Sequence, residues 1–436
     1  MAPDAAPGWP GVRSLTPAPE RTADPVRYLL ADVDVAHPLP HLTLSPEHDG
    51  VGILVRRARR PIGFVLRALP PGTSLTPADL TRLVDGAANR ASDAATASVT
   101  TSSTPTLTAV VCTRNRPEML ARCLASLHEL AQAPAAARVR LEILVVDNAP
   151  SDDRTREIVA RSREARYIQA PVQGLDFARN CALREARGDF VAFFDDDVTV
   201  DGGWLDGFVT ALAADPDAAA VTGPVLPYEL ATRAQILFEE YGGFGHRFDR
   251  IRHDTARATD PLFPCKPGRV GAGCNMAVRR SLTLALGGFD EALDTGAPLP
   301  GGGDLDIFYR LLRAGHAIVN EPQCLVFHEH RRRYTELRHQ MWTWGLGYMA
   351  FVAKSYRADP AQRTKFRRVV RRWFWRRSLH AALCAAGRVR RPVGLALAQL
   401  AGGVVGLFGE YPRSERRVRN LLANHAVALE SREEPA

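Results

Sequence analysis

Lysine is almost missing from this chain: Lys266, Lys354 and Lys365 are the only three among 56 basic residues. The formal charge of +8 is therefore nearly all arginine, which high-GC coding bias is enough to explain, and basicity alone does not point to nucleic acid. No nucleic-acid partner is expected. Paired cysteines are missing too. Cys112, Cys123, Cys181, Cys265, Cys274, Cys324 and Cys384 are odd in number and scattered, with no Cys-x-x-Cys, which argues against a zinc ribbon or a disulfide framework. A reducing, cytoplasmic setting is the expectation. The N-terminus has no basic segment leading into an apolar one, so no secretory signal is expected and the protein should work inside the cell. Nor does any apolar run reach the roughly twenty residues of a spanning helix.

What is present is ordinary for a globular protein, with 46% hydrophobic and 24% charged residues over 436 positions. That length predicts more than one structural unit. Residues 1–25, rich in Pro and Ala, read as a disordered leader. Residues 26–90 read as a small β-containing module, with two strands on either side of the basic turn Arg57–Pro61. Residues 91–105, nearly all Ser, Thr and Ala, read as a linker separating that module from the main domain at 106–332. A helical region fills 333–436.

The main domain alternates strands and helices. Strands are predicted at 107–112, 141–146, 167–168 and 190–194, with helices at 118–130, 151–163 and 176–187, Pro117 opening the first and Ser151 to Asp153 capping the second. That alternation implies an α/β fold, a mostly parallel sheet covered by helices on both faces. Ligands of such sheets sit at the carboxyl ends of the strands, where Thr113 to Arg116, Asp147 and Asp195-Asp196-Asp197 all fall. Three adjacent carboxylates at the end of a buried strand repel one another unless a cation neutralises them. Asp-x-Asp suits a hard cation such as Mn²⁺ or Mg²⁺, with substrate phosphates completing the shell. A solvated acidic turn is the plainer alternative.

Seven motifs occur in order: Val-Val-Cys-Thr-Arg-Asn-Arg-Pro at 110–117, Val-Val-Asp-Asn at 145–148, Gly-Leu-Asp-Phe-Ala-Arg-Asn at 174–180, Phe-Phe-Asp-Asp-Asp at 193–197, Gly-Ala-Gly-Cys-Asn-Met-Ala at 271–277, Gly-Gly-Phe-Asp-Glu at 287–291 and Gly-Gly-Asp-Leu-Asp at 302–306. Through them the chain resembles the inverting family 2 glycosyltransferases of GT-A fold over about residues 106–330. That resemblance implies a hexosyltransferase-like, metal-dependent enzyme. It would move a glycosyl unit from a nucleotide-diphosphate sugar to an acceptor hydroxyl in the synthesis of a glycan, a glycolipid or a glycosylated metabolite. Thr113, Arg116, Asp147, Arg179, Asp195, Asp196 and Asn275 would then meet the nucleotide sugar, and Asp195, Asp197 and His328 would hold the metal. Asp147 competes with a helix-cap role, Arg179 with a surface ion pair, and Asp196 is either a second ligand or an exposed carboxylate. His328 ranks above His330 because it directly follows the strand. Asp304 aligns with the catalytic base, against a helix-cap alternative. The family's pattern is Glu-Asp-x-Asp, and here Gly303 replaces the leading Glu.

Further on, 219–226 reads as one strand and 241–263 as an irregular, substrate-covering segment. The stretch Arg363 to Arg377 interleaves arginine with aromatics as an interfacial helix does, and Val393 to Phe408 is apolar for about sixteen positions. Peripheral attachment to the inner face of the cell membrane competes with a packed helical appendage. Two other readings remain. Asp195 to Thr199 matches the Asp-x-Asp-x-Thr of aspartyl phosphatases, though that signature normally follows a domain's first strand. A basic RNA- or membrane-binding protein would leave the acidic strand end unexplained.

Overall fold

The computed structural model describes residues 26–88, 104–162, 164–294 and 299–433. The leader at 1–25 and nearly all of the linker lie outside the described residues.

The first module contains β1 (Tyr28–Asp34), β2 (Leu42–Thr43), β3 (Gly50–Arg57), β4 (Arg60–Ala68), β5 (Ser74–Leu75) and α1 (Pro77–Ala88). Its main sheet has the order β1-β3-β4, and the alternating residues Leu29, Ala31, Val33, Ile53 and Val55 pack with Leu80 and Val84 of α1. β1 was not foreseen, although its Tyr-Leu-Leu-Ala-Asp-Val-Asp alternates. The turn between β3 and β4 places Ala58 and Arg59 at positive φ, as a two-residue hairpin matching strand twist requires. The module is docked on the main domain. Tyr28 N–H donates to the Leu230 carbonyl (2.8 Å), Arg56 reaches Asp201 (2.6 Å), and Arg60 pairs with buried Glu321 (3.1 Å).

The main domain runs β6 (Thr106–Thr113), α2 (Pro117–Gln132), β7 (Arg140–Asn148), α3 (Arg154–Arg161), β8 (Ala165–Ala170), α4 (Leu175–Glu185), β9 (Phe190–Asp195), β10 (Val198–Val200), α5 (Trp204–Ala214), β11 (Ala218–Thr222), β12 (Val225–Pro227), α6 (Arg233–Glu240), β13 (Ile251–His253), β14 (Asn275–Arg279), α7 (Arg280–Ala285), α8 (Gly303–Arg313), β15 (Ala317–Asn320) and β16 (Val326–His328). Eight strands form one sheet in the order β13-β15-β11-β14-β9-β6-β7-β8. Pairs β9-β6, β6-β7, β7-β8 and β11-β15 are parallel and the other three antiparallel, which is the mostly parallel α/β sheet expected. β9 shows why its residues make a central strand. Phe190, Ala192 and Phe194 face one apolar layer with Leu120, Trp204 and Phe208, while Val191 and Phe193 face the other with Leu183, Phe289 and Phe308. Burial on both faces, at about 1.5–3 kcal/mol per large side chain, accounts for the unbroken apolar run.

Two expectations need correction. The segment 219–226 is two strands in two sheets, because Gly223-Pro224 breaks the ladder and β12 turns to pair with β16. The helix after β7 is not capped by a side chain of Asp153; Asp152 instead accepts the Arg154 N–H (3.1 Å).

The C-terminal region is helical: α9 (Tyr334–Ala358), α10 (Arg363–Ala385), α11 (Val393–Val405) and α12 (Tyr411–Glu433). α9 and α11 meet along a glycine seam. A Cβ on Gly402 would collide with the Trp342 carbonyl, one on Gly406 with the Leu346 carbonyl, and one on Gly345 with the Gln399 carbonyl. Only hydrogen lets these two backbones touch.

Candidate active site

β9 delivers the acidic triplet. After Asp195 the chain turns and enters β10, which pairs antiparallel with β16 so that Val198 stands opposite His328. That register brings His328 to Asp197, with Nε2 and Oδ1 3.3 Å apart, and Glu329 N–H closes the contact on the Asp197 carbonyl (2.9 Å). Asp195, Asp197 and His328 each offer a ligand atom, all within 4.8 Å of one another. Thus His328 ends the strand, and His330 lies behind it.

A hydrogen-bond chain backs His328 and, with His330 neutral, leaves Nε2 as its acceptor nitrogen. Buried Glu239 accepts from His330 Nε2 (2.8 Å) and also contacts His246 (3.2 Å). Burial opposes ionisation there, yet the bonds from the two histidines pull the Glu239 carboxyl down to about 2. With Nε2 of His330 donating, its Nδ1 accepts from His328 Nδ1 (3.1 Å). His328 Nε2 then presents a lone pair toward Asp197 Oδ1, a buried oxygen without a hydrogen-bond partner. Burial above all holds His328 well below the usual imidazole range, hence neutral. Two lone pairs facing each other at this distance fit a cation between them. Burial and then the charge on Asp197 push Asp195 up to about 7, the signature of carboxylates lacking their counter-charge.

A cleft of about 490 Å³ opens over these groups, lined by Thr113, Arg116, Asp195, Asp197, His328 and Arg331 among others. Arg116 lies 3.0 Å from Asp196 and 3.5 Å from Asp197. Thr113 Oγ1 donates to Asp196 (2.8 Å). Asp196 is therefore buried rather than exposed, and with one oxygen on Arg116 and the other on Thr113 it holds both in place. Asp147 is the last but one residue of β7, with Oδ2 accepting from Tyr167 (2.9 Å) and Oδ1 buried without a partner. It caps no helix.

One expected sugar contact is misplaced, and a second is held by ion pairs. Asn275 is fully buried, accepting from Trp204 Nε1 (3.0 Å) and donating to the carbonyls of Pro224 (3.0 Å) and Cys324 (2.8 Å). It stitches β14 to the second sheet and has nothing left for a donor. Arg179 is not on the surface. Its side chain is 4% exposed, paired with Asp176 (2.9 Å) and Asp294 (3.4 Å).

Asp304 stands in the first turn of α8, with Oδ2 accepting from Gly273 N–H (3.0 Å) and Oδ1 from Leu305 N–H (2.8 Å). The N-cap is Gly302, at φ +112°, so Asp304 is not the cap. Gly303 has a physical reason: a Cβ there would strike the Asp176 carboxylate, which fills the space that a glutamate side chain would need. Burial raises the Asp176 pKa well above its usual value.

Sequence reasoning passed over Asn148, Asp294 and Arg331. Asn148 ties the loop before α4 to the strand end through Gly174 N–H (2.8 Å) and the Val172 carbonyl (2.8 Å). Arg331, 4.0 Å from Asp197, followed the histidines in plain view. Asp294 carried no local signal.

Residues 108–283 match Glycosyl transferase family 2. Succinoglycan biosynthesis protein ExoM of Rhizobium meliloti is 32% identical over 221 residues, 50% of this chain and 64% of its own length. The pre-mycofactocin glycosyltransferase of Mycobacterium tuberculosis is 29% identical over 235 residues, 53% of this chain and 44% of its own. The chain thus spans less than two thirds of these relatives. A solved mannosyltransferase from Pyrobaculum calidifontis, in complex with GDP-Man and Mn²⁺, aligns over 76% of this chain and 89% of its own at 20% identity and a TM-score of 0.45. The phosphatase alternative loses ground on topology, since β9 comes after β6, β7 and β8 in the same sheet. With its acidic strand end and ordered motifs, the α/β domain is similar to glycosyl transferase family 2 over residues 108–283.

Proposed function

We propose that this chain transfers a glycosyl unit from a nucleotide-diphosphate sugar to an acceptor hydroxyl, with inversion at the anomeric carbon. The observation that carries the reading is the unpartnered Asp197 Oδ1, 3.3 Å from His328 Nε2, at the floor of a cleft flanked by Arg116 and Arg331. Asp195, Asp197 and His328 would hold Mn²⁺ or Mg²⁺, which when bound offsets the charge of a departing diphosphate. Arg116 and Arg331 add positive charge at the same edge. Asp147, with its free buried oxygen, is suited to accept from the nucleoside.

Asp304 acts as general base. Its carboxylate takes the proton of the acceptor hydroxyl, that oxygen forms a bond to the anomeric carbon, and the bond from the anomeric carbon to the diphosphate oxygen breaks. The backbone N–H of Gly273 keeps the carboxylate aimed. A neighbouring groove of about 860 Å³ shares Pro300 and Arg331 with the donor cleft and leaves room for the acceptor, be it a glycan, a lipid-linked sugar or a small molecule. All seven thiols are free, which supports a reducing, cytoplasmic compartment.

The test is a thermal-shift screen of UDP-, GDP- and dTDP-sugars with Mn²⁺ or Mg²⁺, followed by transfer assays on the best donor. Stabilisation by one donor only in the presence of metal is expected. Asp304→Asn should keep that shift and lose transfer by roughly 10²-fold or more. Full activity in that variant refutes the base, and no shift with any donor refutes the reading.

A further inference from the structure

Helix α11 is built inside out. Its exposed positions, Leu397, Ala401, Val404 and Val405, fall at helical spacing and are all apolar, and Phe408 continues the stripe at 72% exposure. Its single polar side chain, Gln399, is buried. A helix packed on a water-soluble protein shows the opposite pattern. Neighbouring α10 repeats the feature: Trp375, 66% exposed, Leu379 and Ala382 make a second outward apolar stripe. Contiguous exposed apolar surface of this kind marks an interaction site.

The charge around it has one sign. Between Asp359 and Glu410 there is no acidic residue, while ten arginines and Lys365 occur. Among the described residues, Arg368, Arg371, Arg372, Arg376 and Arg377 make no ion pair and no hydrogen bond, whereas arginines elsewhere in the molecule are commonly paired. Arg372, Arg376, Arg377 and His380, with Lys266 already paired to Asp260, converge with Trp373 on a cavity of about 350 Å³ whose lining includes no carboxylate. Arg377 is half-buried there, its pKa lowered by burial and by Arg376. Unpaired guanidinium groups around a recess beside an apolar stripe call for an anion attached to something apolar.

We propose that the outer faces of α10 and α11 seat on a membrane surface containing anionic phospholipid, with a lipid phosphate in the Arg372–Arg376–Arg377 recess and Trp375, Leu379, Leu397, Val404 and Phe408 in the acyl boundary. A second copy of the chain is a poor occupant, because face-to-face docking would oppose the same arginines. Spanning is equally poor. The helical stretch Val393–His425 has a mean hydropathy of 1.5 in its most apolar window, but Phe408 and Gly409 leave helical geometry, Gly409 at φ +97°. The apolar part from 393 to 408 would reach only about 24 Å against roughly 30 Å of hydrocarbon, and Arg413, Arg416, Arg417 and Arg419 follow.

The inference goes beyond the transfer reaction and is tested without it. The full chain is sedimented with vesicles of phosphatidylcholine alone or with about one third phosphatidylglycerol, at low and at high salt. Binding to the anionic vesicles, lost in high salt and released by alkaline carbonate, is expected. Arg372→Glu with Arg376→Glu, and separately Trp375→Ser with Phe408→Asp, should each weaken binding roughly tenfold or more. All four side chains lie at the surface or the recess rim, and an unchanged melting temperature shows that the fold is kept. Equal binding to both vesicle types, resistance to carbonate, a concentration-dependent dimer without vesicle binding, or retention of RNA in place of vesicles would each overturn the proposal.

Discussion

Arg56 and Asp197 are both buried charges, and they are handled in opposite ways. Arg56, 5% exposed, lies between Asp32 (2.9 Å) and Asp201 (2.6 Å), and the two carboxylates outweigh its desolvation and raise its pKa. Asp197, equally buried, sits beside Asp195 and Asp196 with guanidinium groups only at 3.5 and 4.0 Å and one oxygen unsatisfied. The first is complete within the chain and joins the small module to the main domain. The second is complete only with something added. A buried charge whose partners are all present is structural, and one whose partners are missing marks a place for a ligand.

Three substitutions would break or sharpen that contrast. The largest effect should come from Asp197→Ala. Transfer is expected to fall by roughly 10²–10³-fold or more, and the metal-dependent donor shift should vanish, while the melting temperature without ligand holds or rises because carboxylate repulsion is relieved. A drop in that melting temperature would place Asp197 on the structural side. Next, Arg56→Ala removes a buried guanidinium from between two partly buried carboxylates, Asp32 and Asp201. A loss of about 1.5–3 kcal/mol in denaturant unfolding is expected, with donor-induced stabilisation of the folded fraction unchanged. Smallest is Asn275→Ala, which strands the Trp204 N–H and two carbonyls. Stability should fall by about 1–3 kcal/mol with the KM for donor unmoved, and a raised KM would return Asn275 to the sugar site.

The sheet and its strand ends were legible because apolar runs punctuated by Asp, Pro and Gly carry the βα alternation locally. The acidic triplet was legible for the same reason: a parallel strand must end at the ligand edge. Direction within an element was not. Asn275 lies in a site motif, yet as the first residue of the antiparallel strand β14 it turns away, beside Phe194, into the core. Arg179 was readable in principle, since Asp176 stands one helical turn before it. Its second partner, Asp294, comes from a segment more than a hundred residues on and left no trace. The relay from Glu239 through His330 to His328 depends on α6 meeting β16, a tertiary fact that no spacing encodes.

The glycine seam between α9 and α11 has a mechanical consequence. α9 begins at Tyr334, only a few residues beyond His328, and its backbone touches that of α11 at Gly345, Gly402 and Gly406 with no side chains between to compress or slide. The outer helices are therefore tied, backbone to backbone, to the helix that starts just after His328, with no side-chain layer as a cushion between them.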